Sequence, residues 1–233
     1  MKTPVLIWRR RRTFFITGTD TGVGKTVLTA LLAQFLRGRG GRVAALKPVC
    51  SGGREDAIAL RHALGHTLPL DEINPWHFRA AIAPGLAARL EKQPVKRASV
   101  LVRLRAMQKK FDVTLVEGAG GLLSPLGENF DARDLMTALR ALPIIVAPNK
   151  LGAVNHVRLT LEALPKPLRA KARVVLMCPP EPDPATASNA KLLQAFLPCG
   201  KLFKLPWFGR NFSAAEILKK PQAKRTLTGL LRI

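Results

Sequence analysis

Short apolar runs alternate with stretches of helical spacing along almost the whole chain. The continuous runs predict strands at 13–18, 42–46, 112–116, 143–147, 173–177 and 201–205. Between them, apolar residues recur every three or four positions. That spacing predicts helices at 25–37, 55–63, 80–92, 96–110, 131–140, 153–164, 185–196 and 213–218. Val113-Thr114-Leu115-Val116 and Pro143-Ile144-Ile145-Val146-Ala147 show little polar alternation, the character of parallel strands covered on both faces. Strands alternating with helices imply βαβ units. The expected fold is therefore α/β: a doubly wound, mostly parallel sheet with helices on both faces. Ligands bind at the carboxyl ends of the strands in such a sheet. The proline-rich stretch 179–184 predicts a loop.

A length of 233 residues suits one α/β domain, here expected over 13–233. Residues 1–12 end in Arg9-Arg10-Arg11-Arg12 and read as a basic, disordered extension. The apolar stretch after the arginines, Phe14-Phe15-Ile16, is too short for an export signal. Cys50, Cys178 and Cys199 form no CxxC pair and cannot all pair with one another. That points to a reducing, cytoplasmic setting and against a disulfide framework or a zinc site. No run reaches the ~18 apolar residues of a membrane helix.

The charge changes the picture more. Thirty-eight basic against fifteen acidic residues give +23. Such an excess licenses a nucleic-acid or anionic-surface hypothesis. No basic stretch interleaved with aromatics appears, so the plainer reading is a solvated surface that attracts polyanions non-specifically.

The sharpest chemical signal follows the first strand. Gly18-Thr19-Asp20-Thr21-Gly22-Val23-Gly24-Lys25-Thr26 places a glycine-rich turn before a helix opened by Lys-Thr. Backbone N–H groups at such a helix start attract phosphate, and glycine lets the backbone approach it. Lys25 would reach the terminal phosphates and the Thr26 hydroxyl would ligate Mg²⁺. The spacing is a variant: five residues, not four, separate Gly18 from Gly24. The expected architecture is thus P-loop NTPase-like.

Three further strand ends carry chemistry. Lys47-Pro48 follows the second strand, where a lysine beside a phosphate loop could neutralise charge on a transferring phosphoryl group. Alone, Lys47 would read as a surface lysine. Glu117 ends the run 113–116 and opens Gly118-Ala119-Gly120-Gly121, glycines that would let backbone approach a nucleotide or substrate. A buried unpaired carboxylate there would be costly, which favours a functional role. Asp56 is either a metal ligand or a first-turn helix acid. Thr26, Asp56 and Glu117 could share one Mg²⁺. Lys150-Leu151-Gly152-Ala153-Val154-Asn155-His156 lies on the same sheet edge and reads equally as a strand–helix loop.

Taken together, 17–26, 47–52, 116–121, 150–156 and Pro206-Trp207 resemble the dethiobiotin synthetases in order and spacing, the five-residue P-loop included. The resemblance covers roughly 13–210. It implies an ATP- and Mg²⁺-dependent ring closure on 7,8-diaminononanoate and CO₂ through a carbamic-phosphoric anhydride. It assigns Lys47 and Lys25 to charge stabilisation. Gly22, Val23, Gly24, Lys25, Thr26, Val27, Asp56, Glu117, Gly118, Ala119, Gly120, Pro206, Trp207 and Phe208 would bind the nucleotide and its metal. Thr21, Ser51, Leu151, Gly152 and Asn155 would contact substrate. The loop at 150–155 would reach a partner's site in a homodimer. Asn74-Pro75-Trp76-His77-Phe78 with Ala83-Pro84 resembles a segment that helps line the substrate site.

Two departures stand out. Met177-Cys178 replaces an Asn-Asp pair that reads adenine, and Gly22 replaces an acidic residue. The alternatives are a nucleotide-switched, DNA-associated ATPase of the partition kind, or a ligase for another amine. The partition signature lysine would stand four residues before Gly24, where this chain has Asp20.

Overall fold

The computed structural model describes residues 11–209 and 213–232. The expected basic extension lies outside them except for Arg11 and Arg12. In chain order the elements begin with β1 (Arg12–Gly18), α1 (Lys25–Arg37), β2 (Val43–Leu46), β3 (Val49–Ser51), α2 (Glu55–Ala63) and α3 (Leu70–Ile73). They continue with β4 (Trp76–Phe78), α4 (Pro84–Leu90), α5 (Arg97–Lys110), β5 (Val113–Gly121), α6 (Ala132–Ala138) and β6 (Leu142–Pro148). The last are α7 (Ala153–Glu162), α8 (Lys166–Arg169), β7 (Arg173–Met177), α9 (Pro184–Gln194), β8 (Leu202–Leu205), α10 (Ala214–Ile217) and α11 (Pro221–Leu231).

Six strands form one sheet in the order β2-β5-β1-β6-β7-β8, all parallel. Phe14, Phe15 and Ile16 are successive and fully buried, as are Ile144, Ile145 and Val146. Side chains of successive strand residues point to opposite faces, so both faces are covered. On one flank α1 packs with α2, α10 and α11; elsewhere α5 packs with α6, and α7 with α9. The expected α/β architecture is the one observed.

The differences from expectation are local. β5 runs on to Gly121, through glycines expected to open a loop. Its partner β1 follows it to Gly18, with an irregularity between Ile16 and Gly18. β3 and β4 form a small parallel sheet of their own. α11 falls in a basic tail where no helix was expected. It docks because Arg173, buried at the start of β7, donates to the carbonyls of Leu230 and Arg232. The proline-rich stretch is a loop to Asp183, which caps α9 by accepting from Thr186 N at 2.8 Å.

Candidate active site

The turn after β1 adopts the geometry its glycines allow. Gly22 and Gly24 have φ of +71° and +96°, where L side chains are strained. A Cβ on Gly18 would fall 2.7 Å from the Asp20 carbonyl oxygen. One on Gly24 would fall 2.9 Å from the Met177 methyl. Gly24 opens α1, its carbonyl accepting from Leu28 N. The Lys25 ammonium folds back and donates to the Asp20 carbonyl at 2.8 Å.

Three side chains converge on this turn, from the end of β2, from α2 and from β5. Lys47, just past β2, is buried and donates to Asp56 Oδ2 at 2.7 Å and to Glu117 Oε1 at 2.8 Å. Thr26 Oγ1 lies 2.8 Å from Asp56 Oδ1 and 2.7 Å from Glu117 Oε1. One hydroxyl proton cannot serve both carboxylates. Glu117 is fully buried, and its Oε2 has no hydrogen-bond partner. An orphaned carboxylate oxygen, a second carboxylate and a hydroxyl form an all-oxygen set that fits Mg²⁺, which takes one or two carboxylates and leaves its other positions to phosphate and water. Among the described residues no group of three or more His, Cys, Asp or Glu could hold a metal unaided.

The electrostatics follow from burial and neighbours. Burial, with Lys47 close by, lowers the Lys25 ammonium to a pKa of about 8. For Lys47, burial disfavours the charge, but Glu117 and Asp56 outweigh it and the net shift is upward. Asp56 is held below the usual carboxylate range because Lys47 outweighs its burial.

Asn74 fixes the loop that carries Lys47. It is fully buried, donates from Nδ2 to the Lys47 carbonyl at 2.7 Å, and accepts at Oδ1 from Arg54 Nε at 3.1 Å. The Cys50 thiol donates to the same oxygen at 3.2 Å, and burial pushes that thiol's pKa up. Across the opening, Ser51 Oγ donates to the Ile82 carbonyl, which ties β3 to the segment before α4.

A cavity of about 730 Å³ lies over these groups. Of the expected site residues, Thr21, Gly22, Gly24, Lys25, Thr26, Val27, Lys47, Ser51, Asp56, Ala119 and Gly120 line it. Val23 is buried beneath the turn, and Glu117 lies under Thr26 and Lys47. Gly118 is not brought to the cavity: a Cβ there would meet Phe15 and Ala132. Pro206, Trp207 and Phe208 follow β8 and lie outside it, Phe208 packing on the core with Lys220 over its ring. Leu151, Gly152 and Asn155 are exposed and also lie outside, with Leu151 N donating to Asp183. Ala83 and Pro84 do line it, whereas Asn74 to Phe78 build the wall behind. The sequence reading missed Gly53, Glu55, Ala81, Ile82 and Ser124; the Ser124 hydroxyl accepts from Gly121 N at 2.9 Å.

A family model described as an AAA domain matches residues 12–210. The ATP-dependent dethiobiotin synthetase BioD of Anaeromyxobacter dehalogenans is 41% identical over 201 residues, 84% of this chain and 90% of the relative. That of Akkermansia muciniphila is 38% identical over 79% of this chain and 87% of the relative. Among solved structures, a ParA family ATPase from Chlorobium tepidum superposes with a TM-score of 0.58 at 13% identity, covering 94% of this chain and 96% of that one. That likeness shows the fold alone.

Proposed function

The chain belongs to the ATP-dependent dethiobiotin synthetase family, and from that premise we propose how its cavity closes a ureido ring. It is an ATP-dependent ligase of the cyclo-ligase type. One amine of 7,8-diaminononanoate takes up CO₂ as a carbamate. A carbamate oxygen attacks the γ-phosphorus of ATP and ADP leaves. The second amine then attacks the carbonyl carbon of the mixed anhydride, phosphate leaves, and dethiobiotin forms.

The observation that carries this reading is the convergence of Lys25, Thr26, Lys47, Asp56 and Glu117 under one cavity. Phosphoryl transfer of this kind needs positioning and charge stabilisation more than covalent help. Lys25 swings from the Asp20 carbonyl to the β- and γ-phosphate oxygens, and its low pKa rises when those anions arrive. Lys47 moves from the two carboxylates toward the carbamate and the transferring phosphoryl group. Thr26, Asp56 and Glu117 would hold Mg²⁺, which would supply charge neutralisation on the phosphate oxygens. Freed of Lys47, both carboxylates face the metal site.

Thr21 and Ser51 at the rim contact the diamine. The exposed loop at Leu151, Gly152 and Asn155 reaches the substrate site of a second copy, so the working unit is a homodimer. Leu151 is 80% exposed, and Leu123 and Leu159 are exposed with it, apolar area that such an interface would cover. No helix among the described residues is long and apolar enough to cross a membrane. We place the reaction in the cytoplasm, which the three free cysteines support.

The test is dethiobiotin formation from 7,8-diaminononanoate, bicarbonate and Mg-ATP, with Lys47→Ala as control. Product that needs all three components, and is lost in the variant, supports the reading. Intact nucleotide binding without product would send the search to other amines. A single mass at monomer size across micromolar concentrations would remove the shared site.

A further inference from the structure

Two of the four histidines meet at the end of α2 that points away from the cavity. The helix starts at the site, with Asp56 in its first turn, and ends at Ala63. Its carboxyl end is closed by two backbone hydrogen bonds. Gly65 N donates to the His62 carbonyl at 2.9 Å, and His66 N to the Arg61 carbonyl at 3.0 Å. Gly65 takes the left-handed φ that this closure needs, +61°. The closure asks nothing of the next residue, yet His66 is left-handed too, at +60°. Only three other described residues besides glycines share that conformation. It is costly for an L side chain, and such strain gathers where a function holds it.

The result is a pair of imidazoles turned toward each other. His66 Nε2 lies 3.1 Å from His62 Nδ1, with ring centroids 4.6 Å apart and planes at 85°. Both residues are exposed. Two nitrogens bound to one ion at about 2.0–2.1 Å, in square or tetrahedral geometry, stand roughly 2.8–3.4 Å apart. The observed separation falls within that range. An ion can therefore replace the shared hydrogen after small rotations of exposed rings. The ring that now donates moves its hydrogen to its other nitrogen, so no proton need leave the pair.

We propose that His62 and His66 form a two-imidazole site for a divalent late transition ion (nickel, copper or zinc), with water in its remaining positions. The donor set selects that class. Imidazole suits these ions, whereas Mg²⁺ and Ca²⁺ take oxygen ligands. No third His, Cys, Asp or Glu joins the pair among the described residues. Its charged neighbours are cations: Arg61 precedes His62, and the Arg37 guanidinium packs against Gly65. They would repel an ion held by charge alone, so the bonds to nitrogen carry the affinity. The pair is also distinct from the Asp56 end of the helix, since six residues of helix span about 9 Å.

The experiment is isothermal titration of Ni²⁺ into the full chain near neutral pH with millimolar Mg²⁺ present. His62→Ala, His66→Ala and His77→Ala are titrated in parallel. His77, exposed on β4 and outside the pair, is the control. The unmodified chain and His77→Ala should bind Ni²⁺ equally. Each pair variant should lose about tenfold or more, since even an outer partner of a metal is worth roughly 10–100-fold. With Cu²⁺, the electron paramagnetic resonance spectrum should show coupling to two imidazole nitrogens, which loss of a ring contact alone would not mimic. Equal Ni²⁺ affinity in all four proteins would overturn the proposal. So would a loss in one pair variant alone, which means a single imidazole, or an equal loss in His77→Ala, which means scattered histidines. Dethiobiotin formation without Ni²⁺ should be unchanged in His62→Ala and His66→Ala. Because binding is read without turnover, the proposal and the assignment of the reaction fail separately.

Discussion

The ammonium of Lys47 bridges two carboxylates, Asp56 at 2.7 Å and Glu117 at 2.8 Å, and the second of these is fully buried. Lys47 is therefore the counter-ion of Glu117 and, in the proposed reaction, the positive charge offered to the phosphoryl group. Lys47→Ala should lower turnover about 10²-fold or more, as for loss of one preorganised charge-stabilising group, and leave ADP binding in place. It should also cost about 3 kcal/mol in urea unfolding, because Glu117 is left with Thr26 and the more distant Lys25. Adding Glu117→Gln should recover most of that stability and none of the turnover. Near-normal turnover in the single variant would remove Lys47 from the chemistry.

Thr26 faces the same two carboxylates through one hydroxyl. Thr26→Val keeps the shape and removes the oxygen. Turnover should fall at least 10²-fold in Thr26→Val, while Thr26→Ser should stay within a few fold of the unmodified chain. Chelating Mg²⁺ with EDTA should abolish both turnover and the thermal stabilisation by ADP. Full activity in EDTA would exclude the metal role assigned to Thr26, Asp56 and Glu117.

Asn74 lies away from the cavity yet carries the Lys47 loop. Asn74→Ala would leave the Lys47 carbonyl and Arg54 Nε without their present partners inside the protein. The expected loss is roughly 2–3 kcal/mol of stability. A positioning role predicts more than stability loss: kcat should fall about tenfold while KM for ATP holds, measured well below the melting temperature. Unchanged kcat in the folded variant would leave Asn74 a purely structural residue.

How much of this was legible beforehand depended on the length of the pattern that carried it. The main strands and the helices around 25–37, 55–63 and 97–110 have apolar repeats long enough to read. β3 and β4 have three residues each, too few for any periodicity, and their pairing depends on tertiary contact. β5 continues through Gly118–Gly121 because neighbouring β1 supplies a ladder, a cause invisible in a glycine run. In the site, Lys25, Thr26, Lys47, Asp56 and Glu117 were readable because a parallel sheet gathers strand ends. Gly118 lies away from the cavity because strand alternation turns it toward Phe15 while Ala119 lines the cavity, a direction a glycine run does not show. Ile82 and Ser124 come from loops of ordinary composition.

Arg173 gives a test of the part that was not legible. It is buried, and its guanidinium holds the Leu230 and Arg232 carbonyls at the end of α11. Arg173→Ala would strand both acceptors and should lower stability by roughly 2–3 kcal/mol in urea melts. Arg173→Lys should recover only part of it, since an ammonium cannot span two carbonyls as a planar fork does. Affinity for ADP should not move in either variant. A stability change under about 0.5 kcal/mol would show that α11 docks through its apolar face alone.

The sheet order bears on which nucleotide is used. In the proposed reaction the γ-phosphate lies by Lys47, Asp56 and Glu117, on the β2 and β5 side of the turn after β1. The base must then extend the other way, over the ends of β7 and β8, where Met177 packs against Gly24. The polar groups around the Met177-Cys178 pair are already engaged. Cys178 N donates to the Leu205 carbonyl, and the Met177 carbonyl accepts from Asn149 N. The Asn149 amide is taken up by the Thr186 carbonyl and by Asn189. Pro179 and Pro206 have no N–H, and the Cys178 thiol is a weak donor. A base held mainly by apolar contact is poorly discriminated, since rejection comes from polar groups left unpaired. ATP, GTP and CTP should therefore support dethiobiotin formation with kcat/KM values within about tenfold of one another, and GDP should compete with ADP in direct binding. Replacing the pair with Met177→Asn and Cys178→Asp should raise the preference for ATP. A preference above about 10²-fold in the unmodified chain would mean that other groups read the adenine edge.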